Sequence, residues 1–164
     1  YSSLGEALAS SAALIRSGVG VRAIAVDFGG WDHHVDIGWR VRNQIEEMSK
    51  CLAAFFTDLG EAHAGRVTVV TLSEFGRRLG QNGAAGVDHG FGNAVFAMGA
   101  GVKGGYYANW PTLGESKQVD GDLAVTTDYR SVLSEILAAR FPSVGVGTVF
   151  PGLTRTNLGF MTPY

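Results

Sequence analysis

Three of the four histidines in this chain stand beside aspartates, in two short polar loops. One loop contains Asp32, His33 and His34, and the other contains Asp88 and His89. Carboxylate oxygen and neutral imidazole nitrogen, without thiolate, are the ligand set of zinc or manganese, and less often of iron or calcium. The pattern therefore indicates a divalent-metal site. The alternative interpretation is a pair of ordinary polar loops, because aspartate often caps a following turn.

The elements that would position these loops are alternating strands and helices. Short apolar runs at 21–27, 67–72 and 94–98 predict buried strands, and an amphipathic helix is expected at 39–63. Strand, helix, strand in this order is typical of the parallel crossover unit. We therefore expect an α/β fold with a mostly parallel sheet and flanking helices, with a further short strand at 148–150. Ligands bind at the carboxyl ends of strands in such sheets, which is where polar loops follow the strands here.

Two further helices are predicted near the ends of the chain. The first is capped by Ser2 or Ser3 and follows a 3.6-residue repeat of apolar positions until two glycines stop it. The last is capped by Thr127 or Asp128 and is stopped by Pro142. These helices would flank the sheet.

Length and composition are those of one globular domain. The 164 residues are 46% hydrophobic and 17% charged, with a net charge of −2, so we expect a single α/β domain over residues 1–164. A nearly neutral chain generates little field to attract a polyanion, which argues against nucleic acid as a partner. No apolar run reaches the length of a membrane span. Cys51 is the single cysteine, which excludes an intrachain disulfide, and the sequence does not indicate an oligomeric state.

Motifs of several other active sites are missing from the sequence. It has no G-x-S-x-G elbow, no G-x-G-x-x-G at a strand-to-helix junction and no Walker loop. Serine-hydrolase, dinucleotide and nucleoside-triphosphate chemistry therefore have no motif support.

Five short motifs follow one another along the chain. They are Gly30-Trp31-Asp32-His33-His34, Ser73-Glu74-Phe75-Gly76-Arg77, Gly86-Val87-Asp88-His89-Gly90, Gly101-Val102-Lys103-Gly104-Gly105 and Thr126-Thr127-Asp128-Tyr129-Arg130. In this order they resemble the marks of the bacterial domain-of-unknown-function family numbered 1501, and the resemblance covers residues 29–140. The family pattern has a threonine at the position of His33, so His34 is the matching histidine and His33 is an extra candidate ligand.

That family looks like a branch of the alkaline phosphatase-like superfamily, whose sulfatases, phosphopentomutases and cofactor-independent phosphoglycerate mutases are two-metal hydrolases or transferases. By similarity, Asp32 and His34 match the first pair of metal ligands. Glu74 matches the aspartate of the second pair, and His89 matches the last histidine. Phe75 stands where the second pair has its histidine, which leaves the second metal site incomplete. The superfamily's nucleophile lies in the N-terminal part of its domain, so this chain resembles an incomplete, C-terminal portion of an alkaline phosphatase-like domain.

The resemblance implies a hydrolase or transferase of small phosphate or sulfate esters that uses one or two divalent metals, zinc or manganese first and calcium as a further option. Such cations offset the charge that develops on the ester and lower the pKa of a bound nucleophile. Arg77 and Lys103, with Arg78, are candidates for binding the ester oxygens, the alternative being solvent-facing charge. Asp88 would either bind metal or orient His89 by accepting its second ring N–H.

Two other classes of function stay open at this point. One is a non-catalytic binding or structural module on a degenerate alkaline phosphatase-like fold, which Phe75 favours. The other is a plain α/β interaction domain, in which Asp32, His34 and His89 would lie far apart. The family resemblance implies a periplasmic or secreted location, which the residues themselves do not indicate.

Overall fold

The computed structural model describes residues 2–163. The chain divides into two compact units: the first comprises residues 2–67 and 80–88, and the second comprises residues 68–79 and 89–163. The single domain expected over residues 1–164 stays a prediction. In chain order the elements are α1 (Ser3–Arg16), α2 (Ile37–Ala64), β1 (Thr68–Val70), β2 (Gly76–Arg77), β3 (His89–Gly90), β4 (Ala97–Gly99), a 3-10 helix (Glu115–Lys117), α3 (Tyr129–Arg140) and α4 (Val146–Val149).

The first helix, α1, begins where the sequence predicts it. The hydroxyl of Ser2 accepts a hydrogen bond from the backbone N–H of Gly5 at 3.2 Å, which satisfies one of the free donors of the first turn. Helix α1 packs against α2 in the first unit. The buried apolar side chains of these two helices are Leu4, Leu8, Ala12, Phe55 and Leu59. The apolar repeat that predicted α1 therefore marks its buried face.

The long helix α2 confirms the helix predicted at 39–63 and begins slightly earlier, at Ile37. Gly60 interrupts it with a φ of 64° and a ψ of 172°. Glycine tolerates this conformation because it has no Cβ, so the helix is kinked at Gly60 before it ends at Ala64. Neither α2 nor any other helix among residues 2–163 is both long and apolar enough to cross a bilayer, in agreement with the predicted absence of a span.

The second unit contains two antiparallel sheets of two strands each. In one sheet β1 pairs with β4, with Val69 opposite Met98. In the other, β2 pairs with β3, with Arg77 opposite His89. The second sheet therefore joins two of the polar motifs found in the sequence.

Helix α3 holds the C-terminal segment of the second unit. Asp128 caps the helix, as predicted, by accepting a hydrogen bond from the Arg130 N–H at 2.8 Å. The carboxylate of Glu135, only 4% exposed, accepts hydrogen bonds from three backbone N–H groups of the segment. Beside it lies a buried apolar cluster formed by Ala139, Phe160 and Met161.

The predicted fold class is wrong. Within residues 2–163 both sheets are small and antiparallel, rather than one mostly parallel sheet with flanking helices. The runs at 67–72 and 94–98 do contain strands, but these strands pair with each other in opposite directions. Residues 21–27 belong to no sheet among the described residues, and the strand expected at 148–150 is replaced by the short helix α4.

The error has a physical cause. An apolar, β-branched run predicts an extended segment but does not identify its neighbour. A helix between two strands imposes parallel pairing only when both strands enter the same sheet, and residues 21–27 do not enter the sheet of β1. Strands β1 and β4 are connected by residues 71–96, which contain no helix and return the chain in the opposite direction.

Candidate metal centre

The imidazole of His34 lies between two carboxylates in the first unit. Its Nε2 is 2.9 Å from Oδ1 of Asp32, and its Nδ1 is 2.7 Å from Oδ1 of Asp88. The side chains of His34, Asp32 and Asp88 are 44%, 54% and 49% exposed, so solvent and small solutes reach them. A neutral imidazole has a single N–H and cannot donate to both carboxylates. Both contacts of the ring with carboxylates are favourable when both ring nitrogens carry protons, or when a cation takes the place of one of these protons.

Two stretches of backbone bring these side chains together. The segment 33–37, which leads into α2, lies beside the loop 80–88, and Val35 and Ala85 form an antiparallel bridge between them. The N–H of Val87 donates to the carbonyl of His33 at 3.1 Å, immediately before Asp88 in the chain. The backbone ladder therefore places the Asp88 carboxylate beside the His34 ring.

Gly86 is the point of closest approach between these two stretches. A Cβ built on Gly86 would lie 2.0 Å from the carbonyl carbon of His34 and 2.1 Å from its oxygen. No side chain fits in that space, so only glycine permits the loop to pack against His34.

Asn82 connects the same loop to the site, and the sequence interpretation did not include it. Its Nδ2 donates to Oδ1 of Asp88 and to the carbonyl of His34, each at 3.0 Å. Its Oδ1 accepts from the N–H groups of Ala84 at 2.9 Å and of Gly86 at 3.0 Å. The dipeptide Asn82-Gly83 is a turn signal in the sequence, but such a signal does not identify the distant groups that the side chain binds.

The types and spacing of Asp32 and His34 are compatible with a divalent cation. Two ligand atoms at about 2.1 Å from one cation are about 3.0 Å apart at the right angle of octahedral coordination and about 3.4 Å apart at the tetrahedral angle of zinc. The separation of 2.9 Å between Oδ1 of Asp32 and Nε2 of His34 is close to the first value, and it is also the length of an ordinary hydrogen bond. A carboxylate on the other ring nitrogen, as Asp88 provides, is the usual outer partner of a metal-bound histidine. The sequence predicted that Asp88 would either bind metal or orient His89, and both roles stay predictions; the structure adds a contact of Asp88 with His34.

The neighbouring histidine, His33, lies in a different environment. Its side chain is buried, with a relative exposure of 8% for the residue, and its ring centroid is 6.5 Å from that of Trp31. Trp31 in turn makes an edge contact with Phe28. His34, rather than His33, is therefore the histidine that contacts the carboxylates of Asp32 and Asp88.

His89 begins β3 in the second unit, where an aromatic stack holds its ring. The rings of His89 and Phe75 are stacked, with centroids 3.9 Å apart and an angle of 10° between their planes. The guanidinium carbon of Arg77 lies 4.6 Å from the centroid of the Phe75 ring. Phe75, which occupies the expected position of a metal-binding histidine, therefore packs against another predicted ligand. That His89 binds the same metal ion as Asp32 and His34 stays a prediction.

The other predicted site residues also belong to the second unit. Glu74 is exposed and directly precedes Phe75. The ammonium of Lys103 donates to the carbonyl of Gly159 at 3.3 Å, which ties it to the C-terminal segment. Arg78 lies near the buried carboxylate of Asp122, with Nη1 to Oδ1 at 3.9 Å. The roles of Glu74 as a ligand and of Arg77 and Lys103 as anion-binding groups stay predictions.

Together these features define a small chain of helices and antiparallel strands that carries an exposed imidazole between two carboxylates. Residues 11–135 match the family described as "Protein of unknown function (DUF1501)", and the chain belongs to this family. No curated protein and no solved structure matches the chain. The family predicted from the five sequence motifs is thereby confirmed. Since the family description names no activity, the function has to be argued from the site.

Proposed function

We propose that this chain supplies the metal-binding part of a divalent-metal-dependent hydrolase or transferase that acts on small phosphate or sulfate esters. The observation that carries the proposal is the His34 imidazole held between the carboxylates of Asp32 and Asp88. An isolated surface ion pair is a common feature of little energetic value. Here both ring nitrogens face carboxylates, and a fixed loop supports one of those carboxylates. This combination supports a binding site rather than incidental surface charge.

The residues have distinct proposed roles. Asp32 and His34 hold the cation, zinc or manganese first, through Oδ1 and Nε2. Asp88 accepts the N–H of His34 Nδ1, which fixes the tautomer and makes Nε2 a better ligand. A bound divalent cation supplies Lewis-acid stabilisation of an ester oxygen and a lowered pKa for bound water.

Further groups extend the proposal on sequence grounds. His89 is bonded to Asp88 in the chain and, with Glu74, is proposed as an additional ligand. Arg77 and Lys103 are proposed to bind the anionic ester oxygens, for which the planar guanidinium is the better match. The proposed relationship to the alkaline phosphatase-like superfamily implies that the nucleophile comes from residues outside this chain.

Metal titration of the purified protein tests the proposal. We expect the wild type to bind Mn²⁺ or Zn²⁺ in calorimetric titration, and Asp32→Ala and His34→Ala to abolish most of the heat. Glu46→Ala is the matched control, because it removes a carboxylate from an exposed ion pair with Lys50 on α2. Glu46→Ala should bind metal like the wild type. If Asp32→Ala and His34→Ala also bind metal like the wild type, the assignment of the site is wrong.

A second candidate is a non-catalytic module that binds metal but turns over no ester. The stacking of Phe75 on His89 favours it, because a phenyl ring at this position cannot be a ligand. Hydrolysis of p-nitrophenyl phosphate and p-nitrophenyl sulfate separates the two candidates when the metal-loaded chain is assayed together with the residues that supply the proposed nucleophile. Metal-dependent release of nitrophenol that Asp32→Ala abolishes supports the enzyme, whereas stoichiometric metal binding without turnover in that protein supports the module.

A further inference from the structure

We propose that Asn82 is a positioning residue of this centre: its side-chain amide holds the Asp88 carboxylate against Nδ1 of His34, so that Nε2 is the nitrogen presented to a cation. The inference concerning the metal rests on the proposed function. The inference concerning the His34 ring rests on the hydrogen bonds of the loop 80–88 alone.

Every hydrogen-bonding position of the Asn82 amide is used. An amide NH₂ has two donors and its oxygen has two acceptor positions. The two donors reach Asp88 Oδ1 and the His34 carbonyl, and the oxygen accepts from the N–H groups of Ala84 and Gly86. An exchange of the amide nitrogen and oxygen would set acceptor against acceptor on one side and donor against donor on the other. The orientation of the side chain is therefore determined by its partners.

The contact with Asp88 gives this amide a role beyond the turn. Oδ1 of Asp88 lies 2.7 Å from Nδ1 of His34 and 3.0 Å from Nδ2 of Asn82, so one oxygen accepts from two donors. The two donors hold the carboxylate in one orientation and favour the His34 form with a proton on Nδ1. In a neutral ring this form leaves the lone pair on Nε2 facing the Asp32 carboxylate at 2.9 Å, a contact between two acceptors that becomes favourable when a cation binds to both.

A neutral amide suits this position chemically. A lysine at the same place would compete for Asp88 as an ion partner, and an aspartate would repel it. Asparagine supplies a donor to the carboxylate without adding charge next to a site that is to bind a cation. The same side chain also caps the turn that brings Gly86 against His34.

Two substitutions distinguish the role of the Asn82 side chain in the turn from its contact with Asp88. In Asn82→Ser the hydroxyl still accepts from nearby backbone N–H groups, as serine does in turns, but it is too short to reach Asp88. Asn82→Ala removes both functions. Gln81→Ala is the matched control, because Gln81 is an exposed amide in the same loop. Thermal unfolding by circular dichroism confirms that each variant folds, and Asn82→Ser carries the test if Asn82→Ala does not.

The first measurement uses metal-free protein. Long-range ¹H–¹⁵N NMR of variants made on an Asp32→Ala background, where no carboxylate competes for the proton at Nε2, should show the neutral His34 ring protonated at Nδ1 when Asn82 is kept and in Gln81→Ala. Both Asn82 variants should show a mixture of the two tautomers. A single Nδ1–H tautomer in Asn82→Ser would overturn the proposal, since it would leave Asn82 with a role in the turn alone.

The second measurement is titration with Mn²⁺ alone. Loss of the direct carboxylate partner of a metal-bound histidine typically weakens metal affinity by about 10–100-fold, so we expect a loss near the lower end, about 10-fold, in both Asn82 variants, which act through Asp88. Wild-type affinity in Asn82→Ser would overturn the inference for the metal. If the wild type itself binds no Mn²⁺, the proposed function fails, while the NMR result still decides whether Asn82 positions the His34 ring.

Discussion

Replacing Glu135 by glutamine tests the contact that ties the C-terminal segment to α3. The buried carboxylate accepts hydrogen bonds from the backbone N–H groups of Leu158 at 2.7 Å and Gly159 at 3.0 Å through Oε2, and of Met161 at 2.9 Å through Oε1. Glutamine keeps one acceptor oxygen but replaces the other with an NH₂ group. At least one of the three N–H groups then loses its acceptor in a buried place.

The expected cost follows from these contacts. Losing a hydrogen bond to a charged group costs about 1.5–3 kcal/mol, and leaving a buried donor without a partner costs about 1–3 kcal/mol. These two costs describe partly the same event and are not summed. We therefore expect Glu135→Gln to lower the free energy of unfolding by about 1.5–3 kcal/mol.

The pH dependence has a definite sign. Burial by itself raises the pKa of Glu135, but hydrogen bonds from the backbone N–H groups of residues 158–161 outweigh it and hold the pKa below the ordinary 4.5. Because the folded pKa lies below the unfolded one, the stabilisation is present above the unfolded pKa and is lost as the pH falls through the folded pKa. The wild type should therefore approach Glu135→Gln in stability as the pH falls below 4.5.

Urea unfolding at about pH 7 and at about pH 3, followed by circular dichroism, measures both effects. Glu115→Gln is the control, because Glu115 is exposed in the same unit and its substitution should change the unfolding free energy by less than about 0.5 kcal/mol. A change in Glu135→Gln no larger than this control at neutral pH, or a difference from the wild type that stays constant at acid pH, would refute the reasoning.

Two glycine substitutions test close packing and backbone conformation separately. In Gly86→Ala the new carbon would lie 2.0 Å from the carbonyl carbon of His34. We expect the unfolding free energy, measured by thermal unfolding, to fall by about 1–3 kcal/mol. We also expect the affinity for Mn²⁺ to fall, and an affinity equal to that of the wild type would contradict the close packing of the loop 80–88 against His34. Gly60→Ala forces a side chain into a φ of 64° and a ψ of 172°, which is nearly restricted to glycine. It should cost about 1–3 kcal/mol in urea unfolding. In Gly38→Ala in the same helix, nothing lies within 4 Å of the added carbon, so the free energy of unfolding should instead rise by about 0.5–1 kcal/mol. Equal changes in unfolding free energy for Gly60→Ala and Gly38→Ala would contradict this reasoning.

The three longest helices, α1, α2 and α3, were predictable because their signals are local, whereas α4 lies in a segment where a strand was predicted. Ser2 and Asp128 cap α1 and α3 through hydrogen bonds to N–H groups three and two residues further on. The apolar repeats that predicted these helices likewise act within a few residues. The same reasoning failed for the sheets, since residues 21–27 have the composition of a buried strand but pair with no strand among residues 2–163.

The candidate site was predictable in its residue types and only in part in its contacts. Asp32 and His34 are two residues apart, so their proximity follows from the chain itself, and the structure places them 2.9 Å apart. Asp88 was predicted to bind metal or to orient His89, its neighbour in sequence, and its contact with His34 across a separation of 54 residues was not predicted. Asn82 was missed because an Asn-Gly pair indicates a turn whether or not its amide reaches a second loop.

By itself, the sequence determined which side chains can ligate a metal, approximately where α1, α2 and α3 lie, and to which family the chain belongs. These properties depend on residue type and on neighbours within about one helical turn. The tertiary structure decided that β1 pairs with β4 in opposite directions and that Asp88 meets His34. Both contacts join residues far apart in the chain, and they form only when loops approach closely enough, as Gly86 allows, for backbone hydrogen bonds to connect them.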